Sequence, residues 1–470
     1  MNCVSLFDER AREHPAKPAL VLAGSKPLSF GALRDRAAAI AQGLKAHGLQ
    51  PGDRALMFVP LSEDLYATVI GSLSIGITLL LVEPWMPLER IAHIVRLTQP
   101  KIFITGWLGR AWGLRIPEIR SIPTWASPRQ LQARPGTFST IDVEPATPGI
   151  LTFTSGTTDA PKGVVRTQGY LIDQHRVLTQ DLRLHDLAGP DLCIFANFAL
   201  SNLATGRTSL IVPASWARRH LDALETLPTE LQPVSTTCGP AFLRRLLDQR
   251  RFPGLQRLHV GGALVDNQLW HEAFARWPDA HFTHVYGGTE AEPVACIDAH
   301  DAVRQSERQG FVQSLCVGRP VAAIEHEFRE GTLWITGPHV CPAYFGDVPE
   351  NRTLKRKDER GRSWHCMGDR IEELDGQWYY LGRASQPREE FILEQKIYAR
   401  TNCTAAFVTR HSATNHLYLV GEVSASAWAA AQPHFPEISD FIPATIVRDR
   451  RHRARIDRQA TLKARASWLQ

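Results

Sequence analysis

Short apolar runs alternate with stretches of helical periodicity along most of this chain, and this alternation restricts its fold more than any other feature. An amphipathic helix is predicted over residues 30–45, and strands are predicted at 55–59, 77–82 and 101–105 with helices between them. The same alternation returns over residues 192–286. Parallel strands joined by helices form sheets covered on both faces, so the pattern predicts an α/β fold with two similar helix-covered sheets.

The organisation of the chain changes after this alternation ends. From about Cys316 the sequence becomes β-rich, and Asp375-Gly376 between two apolar runs is a hairpin signal. We expect a large N-terminal domain over residues 1–383, including this β-rich part, and a small α+β C-terminal domain over residues 384–470. The Pro- and Arg-rich stretch at 106–148 is expected to be irregular.

Composition gives little support to nucleic-acid binding, a zinc site or a membrane span. Lys and Arg number 53 against 48 Asp and Glu, and a formal net charge of +5 gives little support to nucleic-acid binding. The arginines between 448 and 458 leave open a basic tail or a solvated helix face. None of the eight cysteines forms a C-x-x-C pair, which predicts reduced thiols in a cytoplasmic protein and no zinc site. Residues 65–82 fit a buried helix and strand better than a membrane span.

One stretch, residues 150–165, reads I-L-T-F-T-S-G-T-T-D-A-P-K-G-V-V. A buried strand is followed by small hydroxylated residues and glycine, and then by Pro-Lys-Gly. Such a loop can turn N–H groups, hydroxyls and one ammonium toward a polyphosphate, and the alternative is a solvated turn. The candidate phosphate contacts are Thr154, Ser155, Gly156, Thr157, Thr158 and Lys162.

Two further segments come directly after predicted strands. Residues 286–290, Tyr-Gly-Gly-Thr-Glu, combine an aromatic plane, close backbone approach, a hydroxyl and a carboxylate. A carboxylate beside phosphates requires a metal between them, and Mg²⁺ prefers oxygen ligands. The second segment, Gly261-Gly262-Ala263, is a weaker signal, because a tight strand-to-helix turn has the same composition.

The loop at 150–165 resembles the signature T-S-G-T-T-G-x-P-K-G of the acyl-adenylate-forming superfamily, which includes acyl-CoA synthetases, luciferases and adenylation domains of peptide synthetases. Asp159 stands where that family has glycine. Residues 286–290 are similar to its Y-G-x-T-E motif, and Gly368-Asp369 with the later Gly382-Arg383 to its ribose-binding pair. Near the end, Arg455 stands where the family has a lysine before Ile-Asp.

The resemblance implies a role for each matching residue. Tyr286 would stack on adenine, and the backbone beside the nucleotide would come from Gly287, Gly261, Gly262 and Ala263. Thr289 would contact the α-phosphate, and Glu290 would bind Mg²⁺. Asp369, assisted by Arg383, would hold the ribose. Lys162, Thr289, Glu290 and Arg455 are the implied catalytic residues. ATP and Mg²⁺ are the implied cofactors, a small carboxylic acid the substrate, and CoA or a carrier protein the acceptor.

Details such as Trp364-His365-Cys366-Met367-Gly368-Asp369 are similar to β-lactone synthetases of olefin biosynthesis and to fatty-acyl ligases. The acid pocket is expected between residues 195–206 and the Gly261 turn, with Phe198, Leu203 and Ala263 favouring an apolar tail. Residues 195–206 contain no acidic side chain, which argues against an amino acid. Closure of a β-lactone on an internal hydroxyl stays open, as does a degenerate binder, motivated by Asp159, Arg455 and Ser385.

Overall fold

The computed structural model describes residues 1–83, 85–154, 161–183, 186–213, 215–411, 414–449 and 455–464, and for Thr154 only the backbone. The strands are β1 Pro18–Leu22, β2 Leu28–Ser29, β3 Arg54–Phe58, β4 Thr78–Leu81, β5 Ile102–Thr105, β6 Thr124–Ala126, β7 Pro148–Thr154, β8 Lys162–Thr167, β9 Asp191–Cys193, β10 Ser209–Ile211, β11 Ser235–Cys238, β12 Arg257–Gly261, β13 His281–Gly288, β14 Ala291–Asp298, β15 Cys316–Pro320, β16 Glu325–Arg329, β17 Thr332–Thr336, β18 Lys355–Lys357, β19 Ser363–Cys366, β20 Asp369–Leu374, β21 Gln377–Arg383, β22 Ala406–Arg410, β23 Leu417–Gly421 and β24 Ile438–Pro443.

The helices in most cases directly follow a serine, threonine, proline or aspartate at the N-cap position. They are α1 Ser5–Glu13, α2 Phe30–Ala46, α3 Glu63–Ser74, α4 Leu88–Thr98, α5 Trp107–Gly113, α6 Pro117–Arg120, α7 Pro128–Leu131, α8 Gln168–Asp181, α9 Ala196–Thr205, α10 Arg218–Glu225, α11 Pro240–Asp248, α12 Asn267–Arg276, α13 Ala299–Arg308, α14 Glu350–Thr353, α15 Arg388–Thr401, α16 Ala425–Ala431 and α17 Arg458–Lys463. Within the described ranges, none of them is both long and apolar enough to cross a bilayer.

The first sheet has six strands in the order β6-β5-β3-β4-β7-β8, all parallel except β8. One face packs against α2 and α3, whose serine N-caps Ser29 and Ser62 accept hydrogen bonds from the first turn. The other face packs against α4 and the α5–α6 segment through an aliphatic cluster. Residues 106–148, expected to be irregular, therefore contain three short helices and an edge strand.

The second sheet has eleven strands in the order β2-β1-β10-β9-β11-β12-β13-β14-β15-β21-β20. Its strands run parallel from β1 to β13 and antiparallel from β13 to β20. Part of the β-rich region thus extends this sheet, while β16, β17, β19 and β18 form a separate four-stranded sheet. A three-stranded sheet of β22, β23 and β24 with α15, α16 and α17 forms the C-terminal part. The predicted α/β class, with two helix-covered sheets and a small C-terminal domain, is confirmed.

Candidate functional site

Three of the predicted nucleotide contacts meet on the second sheet. The Tyr286 hydroxyl at the end of β13 donates a 2.7 Å hydrogen bond to Oδ2 of Asp369 at the start of β20. Arg383, at the end of β21, lies 3.0 Å from the other oxygen, Oδ1, and donates from the same nitrogen to the Met367 carbonyl. Burial raises the pKa of Asp369 although Arg383 and Tyr286 favour its charged form, and the Asp369 carboxylate in turn raises the pKa of Arg383.

Glu290 lies in the turn between β13 and β14, among groups that the sequence did not single out. Its Oε1 accepts a 2.9 Å hydrogen bond from the Tyr344 hydroxyl. Buried Lys355 donates to the Cys341 carbonyl, and the Cys341 N–H donates to the Glu290 carbonyl. This arrangement fixes both the backbone and the carboxylate of Glu290.

The charge of Glu290 follows from those neighbours. Burial alone raises the pKa of this carboxyl, but His365, the Tyr344 hydroxyl and Lys355 together bring the pKa below its usual value. Burial and Lys355 lower the pKa of His365 to about 3, so its imidazole is neutral at pH 7. The anionic form of Glu290 therefore depends on Tyr344 and Lys355.

Lys162, the first residue of β8, approaches the ring of the same tyrosine. Its Nζ lies 5.9 Å from the centre of the Tyr344 ring, and Nζ of Lys355 lies 5.0 Å from that centre. Lys162 also pairs with Oε1 of Glu350 at 3.3 Å. The predicted phosphate contacts Ser155, Gly156, Thr157 and Thr158, and the side chain of Thr154, lie outside the described residues.

Thr289 is fixed by a residue that sequence reasoning missed. Arg166 in β8 donates from one nitrogen to Thr152 Oγ1 at 2.7 Å and from another to the Thr289 carbonyl at 3.0 Å. The arginine thus ties the turn after β13 to the first sheet. An arginine five residues after the start of Pro-Lys-Gly carries no recognisable pattern by itself, so only the fold reveals the contact.

The backbone geometry of the turn after β12 requires glycine at two positions. A Cβ atom on Gly261 would lie 2.4 Å from the Val285 carbonyl oxygen, and Gly262 has a φ of +82°. Exposed Arg455 reaches this turn from the C-terminal part and donates from Nε to the Gly262 carbonyl at 2.7 Å. Ala263 follows the turn and is half-buried. The structure therefore brings Arg455 and the glycine turn together.

The residues predicted to line the acid pocket lie in different parts of the structure. Residues 195–206 contain the helix α9, where buried Phe198 packs in one cluster with Leu178, Leu182 and Val285. Val285 pairs with Gly261, so Phe198 lies on the side of the glycine turn. Leu203 instead belongs to the cluster shared with α1 and the first sheet.

Two polar groups near the predicted acid pocket were not identified from the sequence. The Glu292 carboxylate on β14 accepts a 3.4 Å hydrogen bond from Asn197 at the start of α9. His259 lies two residues before Gly261 on β12, is 2% exposed, and within the described residues neither ring nitrogen has a hydrogen-bond partner. Burial lowers the pKa of His259 to about 3, so its ring is neutral. The surroundings of α9 are more polar than residues 195–206 alone indicate.

The comparisons with known proteins identify the family. A model of the AMP-binding enzymes matches residues 7–345, well over half of the chain. The chain belongs to the AMP-binding enzyme family. This family consists of adenylate-forming, acyl-activating enzymes that use ATP.

Individual relatives are distant. Phenyloxazoline synthase MbtB of Mycobacterium tuberculosis is 28% identical over 80% of this AMP-binding enzyme, which spans only 27% of that protein's length. An olefin β-lactone synthetase of Xanthomonas campestris is 26% identical over 81% of the chain and 78% of its own length. The O-succinylbenzoate coenzyme A synthetase of Bacillus subtilis in complex with AMP superposes with a TM-score of 0.77 at 17% identity, covering 95% of this chain and 96% of the other.

The residues of this AMP-binding enzyme fit a nucleotide and a magnesium ion. Oδ1 of buried Asp369 makes no hydrogen bond in the described structure beyond its ion-pair contact with Arg383, so it can accept from a ribose hydroxyl. A Cβ atom on Gly288 would lie 3.4 Å from the Met367 methyl group and 3.7 Å from Oε2 of Glu290, so the backbone passes close to this carboxylate. No group of three His, Cys, Asp or Glu side chains that could hold a metal occurs in the described part. Phosphate oxygens and water would have to complete the coordination of an ion bound by Glu290.

Proposed function

We propose that this AMP-binding enzyme converts a hydrophobic carboxylic acid into its acyl-adenylate with release of pyrophosphate, and then transfers the acyl group to a thiol. One observation carries the proposal. The five-residue segment from Tyr286 to Glu290 joins a ribose-compatible group, Asp369 with Arg383, to an anionic carboxylate held by Tyr344 beside Lys162. This arrangement supports the proposal because a nucleotide presents its ribose and its phosphates in the same order.

In the proposed reaction a carboxylate oxygen of the acid attacks the α-phosphorus of ATP, and the bond to the β-phosphate oxygen breaks. Oδ1 of Asp369 would accept the ribose hydroxyls beside Arg383 while the Tyr286 hydroxyl holds Oδ2, which orients the nucleotide. Thr289, positioned through its carbonyl by Arg166, contacts the α-phosphate. The protein mainly aligns the reactants and neutralises charge, as in other phosphoryl transfers.

Charge on the departing pyrophosphate is balanced by basic groups and by the metal. Lys162 would turn from Glu350 to the β- and γ-phosphates, with the hydroxylated residues of the preceding loop. Glu290 would hold Mg²⁺, which supplies positive charge to the phosphate oxygens when bound. Arg455 enters over the Gly262 carbonyl and would neutralise charge around the α-phosphate.

The acid we favour is a fatty acid or a 3-hydroxy fatty acid, because Phe198 lies in an apolar cluster beside the glycine turn. CoA or the thiol of a carrier protein would take the acyl group from AMP. An alternative, supported by the similarity to an olefin β-lactone synthetase, is attack of a 3-hydroxyl on the acyl carbon of its own adenylate, which closes a four-membered lactone and releases AMP.

A second substrate class is favoured by Glu292. Its carboxylate reaches the start of α9, close in sequence to Phe198, and could bind an amino group on the acid. The sequence argument against amino acids considered residues 195–206 alone. A binder of ATP or acyl-adenylate without turnover is the remaining alternative, given Asp159, Ser385 and Arg455.

We also propose the division of the chain and its location. Residues 384–470 would act as the small C-terminal domain that carries Arg455, after a linker whose carbonyls at 383, 384 and 386 accept hydrogen bonds from Arg370. The enzyme would act in the cytoplasm on small molecules and would not bind nucleic acid.

The test is pyrophosphate release from ATP and Mg²⁺ with fatty, 3-hydroxy fatty, aryl and amino acids, first without an acceptor and then with CoA or a carrier protein. Release with fatty acids that accelerates with a thiol supports the proposal. Thiol-independent turnover confined to 3-hydroxy acids supports lactone closure, and preference for amino acids that Glu292→Gln abolishes supports the second class. Nucleotide binding without release across the panel would leave the non-catalytic binder.

A further inference from the structure

Helix α5 presents an apolar face to solvent. Trp107, Leu108 and Leu114 are 76%, 64% and 59% exposed, and Ala111 between them is exposed as well. These four residues are called the α5 patch. Large apolar side chains with this exposure are uncommon as a group on a soluble protein, and such groups usually mark an interaction surface.

The patch is a fixed feature because the opposite face of α5 is fastened to the first sheet. A Cβ atom on Gly109 would lie 1.8 Å from Thr105 Oγ1, and one on Gly113 would lie 2.9 Å from a ring atom of Phe103. Trp112 stacks on Phe58 with ring centres 4.5 Å apart and planes 12° from parallel. Because the small residues and Trp112 face inward, Trp107, Leu108 and Leu114 cannot turn into the core.

The neighbouring helix contributes more exposed apolar surface. Leu88 and Trp85, at and just before the start of α4, are 41% and 37% exposed. α4 covers the same face of the first sheet as the α5–α6 segment, and Arg96 of α4 forms an ion pair with Glu118 of α6. Of the eight large apolar side chains that are exposed in the described part, five fall between residues 85 and 114, so the exposure is concentrated in this helix layer.

The segment around the α5 patch is predominantly basic. Residues 106–134 contain five arginines and a single acidic residue, Glu118, whose charge is paired with Arg96. Arg115, directly after Leu114, and Arg120 at the end of α6 are exposed. The whole chain has a net charge of only +5, so this segment holds much of the excess.

We propose that the α5 patch binds the anionic surface of a lipid bilayer. Trp107, Leu108 and Leu114 would enter the boundary between headgroups and acyl chains, where tryptophan is enriched, while Arg115 and Arg120 bind lipid phosphates. An acidic protein partner would also attract the arginines, but Trp107 and Leu108 project from α5 and Leu114 directly follows it, all on the side away from the first sheet. Projecting apolar side chains with a basic margin match a lipid surface better than a protein helix. A membrane surface would also bring a hydrophobic acid close to the enzyme.

Co-sedimentation of the full chain with vesicles tests the proposal without any need for catalysis. Vesicles of phosphatidylcholine alone are compared with vesicles that also contain phosphatidylglycerol, each at low and high salt. Binding is expected only to the anionic vesicles and should weaken with salt. Neutralising Arg115 and Arg120 by glutamine should reduce the affinity by about fivefold for each arginine.

The double variant Trp107→Ser/Leu108→Ser should lose vesicle binding while keeping the thermal stability of the parent, because both side chains are exposed. Phe328→Ser/Leu374→Ser is the matched control, since these apolar side chains are 42% and 37% exposed in the β-rich part; it should bind like the parent. The proposal is wrong if the parent does not bind anionic vesicles, or if both double variants bind these vesicles with equal affinity. It is also wrong if the parent does not bind vesicles but binds an acidic carrier protein, and the Trp107→Ser/Leu108→Ser variant does not bind that carrier protein. Pyrophosphate release in solution is a separate readout, so a failure of this proposal leaves the proposed reaction untouched.

Discussion

The Nζ atom of Lys162 lies 3.3 Å from Oε1 of Glu350, and only 12% and 14% of the two side chains are exposed. If Lys162 serves the phosphates of ATP, the nucleotide must take this ammonium away from a carboxylate on α14. Glu350 then acts as a competitor that keeps the lysine ordered before ATP arrives. A competitor of this kind lowers affinity and raises the stability of the nucleotide-free protein.

Replacing Glu350 by Gln should therefore change stability and ATP binding in opposite directions. We expect the nucleotide-free protein to lose about 1 kcal/mol of stability, because a partly buried ammonium loses its counter-charge. The KM for ATP should fall by about fivefold, which corresponds to a similar free energy. Thermal unfolding with and without ATP and initial rates of pyrophosphate release measure both. Asp347→Asn, which removes an exposed ion pair with Arg352 on the same segment, should change neither. A higher KM for ATP would show that Glu350 supports the nucleotide site.

Replacing Tyr344 by Phe removes the hydrogen bond to Oε1 of Glu290 and leaves the ring that Lys162 and Lys355 approach. Because partners of a metal-binding carboxylate orient it, the Mg²⁺ concentration for half-maximal pyrophosphate release should rise about tenfold. Tyr398→Phe loses a buried hydrogen bond to the Ala406 carbonyl in the C-terminal part and serves as the control. It should lower stability and leave the Mg²⁺ requirement unchanged, whereas an unchanged requirement in Tyr344→Phe would rule out metal binding by Glu290 in this geometry.

Replacing Arg455 by Lys tests whether the arginine is adapted to its site. Arg455 donates through Nε to the Gly262 carbonyl, which leaves the outer nitrogens of its guanidinium for other contacts. Lysine has one compact charge and cannot do both, so we expect pyrophosphate release to slow by about tenfold. Arg458→Lys alters a neighbouring ion pair with buried Glu394 and should affect stability only. A faster rate in Arg455→Lys would instead mark the native enzyme as a decayed one.

Buried histidine makes stability depend on pH. The unfolded chain binds a proton at His259 near pH 6.5, whereas burial delays protonation of the folded form to a pKa of about 3. The stabilisation of the neutral form is complete above pH 6.5 and is lost as the pH falls toward about 3, at up to about 1.4 kcal/mol per pH unit. His259→Gln should therefore flatten the pH dependence of the free energy of unfolding in urea over this window. The exposed His281→Gln is the control, and equal slopes in all three proteins would contradict the assignment.

Local sequence patterns were sufficient to predict those features of the fold that depend on residues adjacent in sequence. The hairpin predicted at Asp375-Gly376 joins β20 and β21, and both turn residues have positive φ, as that turn type requires. The segment at 286–290 follows β13 as expected, because a strand and its turn are encoded side by side. Helix α2 covers the range that its periodicity predicted, with one more residue at its end.

Contacts between distant segments could not be predicted from such patterns. Lys355 stands on a short strand whose sequence gives no sign that its ammonium is buried near Glu290. Glu350 and Lys162 are far apart in sequence, and only the approach of residues 344 and 345 to β8 brings them together. Glu292 was overlooked for the same reason, since its strand meets α9 only in the folded chain.

The placement of Tyr286, Asp369 and Arg383 on strands of one hydrogen-bonded sheet has an evolutionary consequence. Their spacing is inherited with the backbone pairing, so mutations that leave the sheet intact cannot easily retune it. Phe198, by contrast, stands on a separate helix, and Arg455 reaches the site from the C-terminal part of the chain. If these three residues bind the nucleotide as proposed, a lineage built on this scaffold can exchange one acid or acceptor for another while its affinity for the nucleotide stays nearly constant.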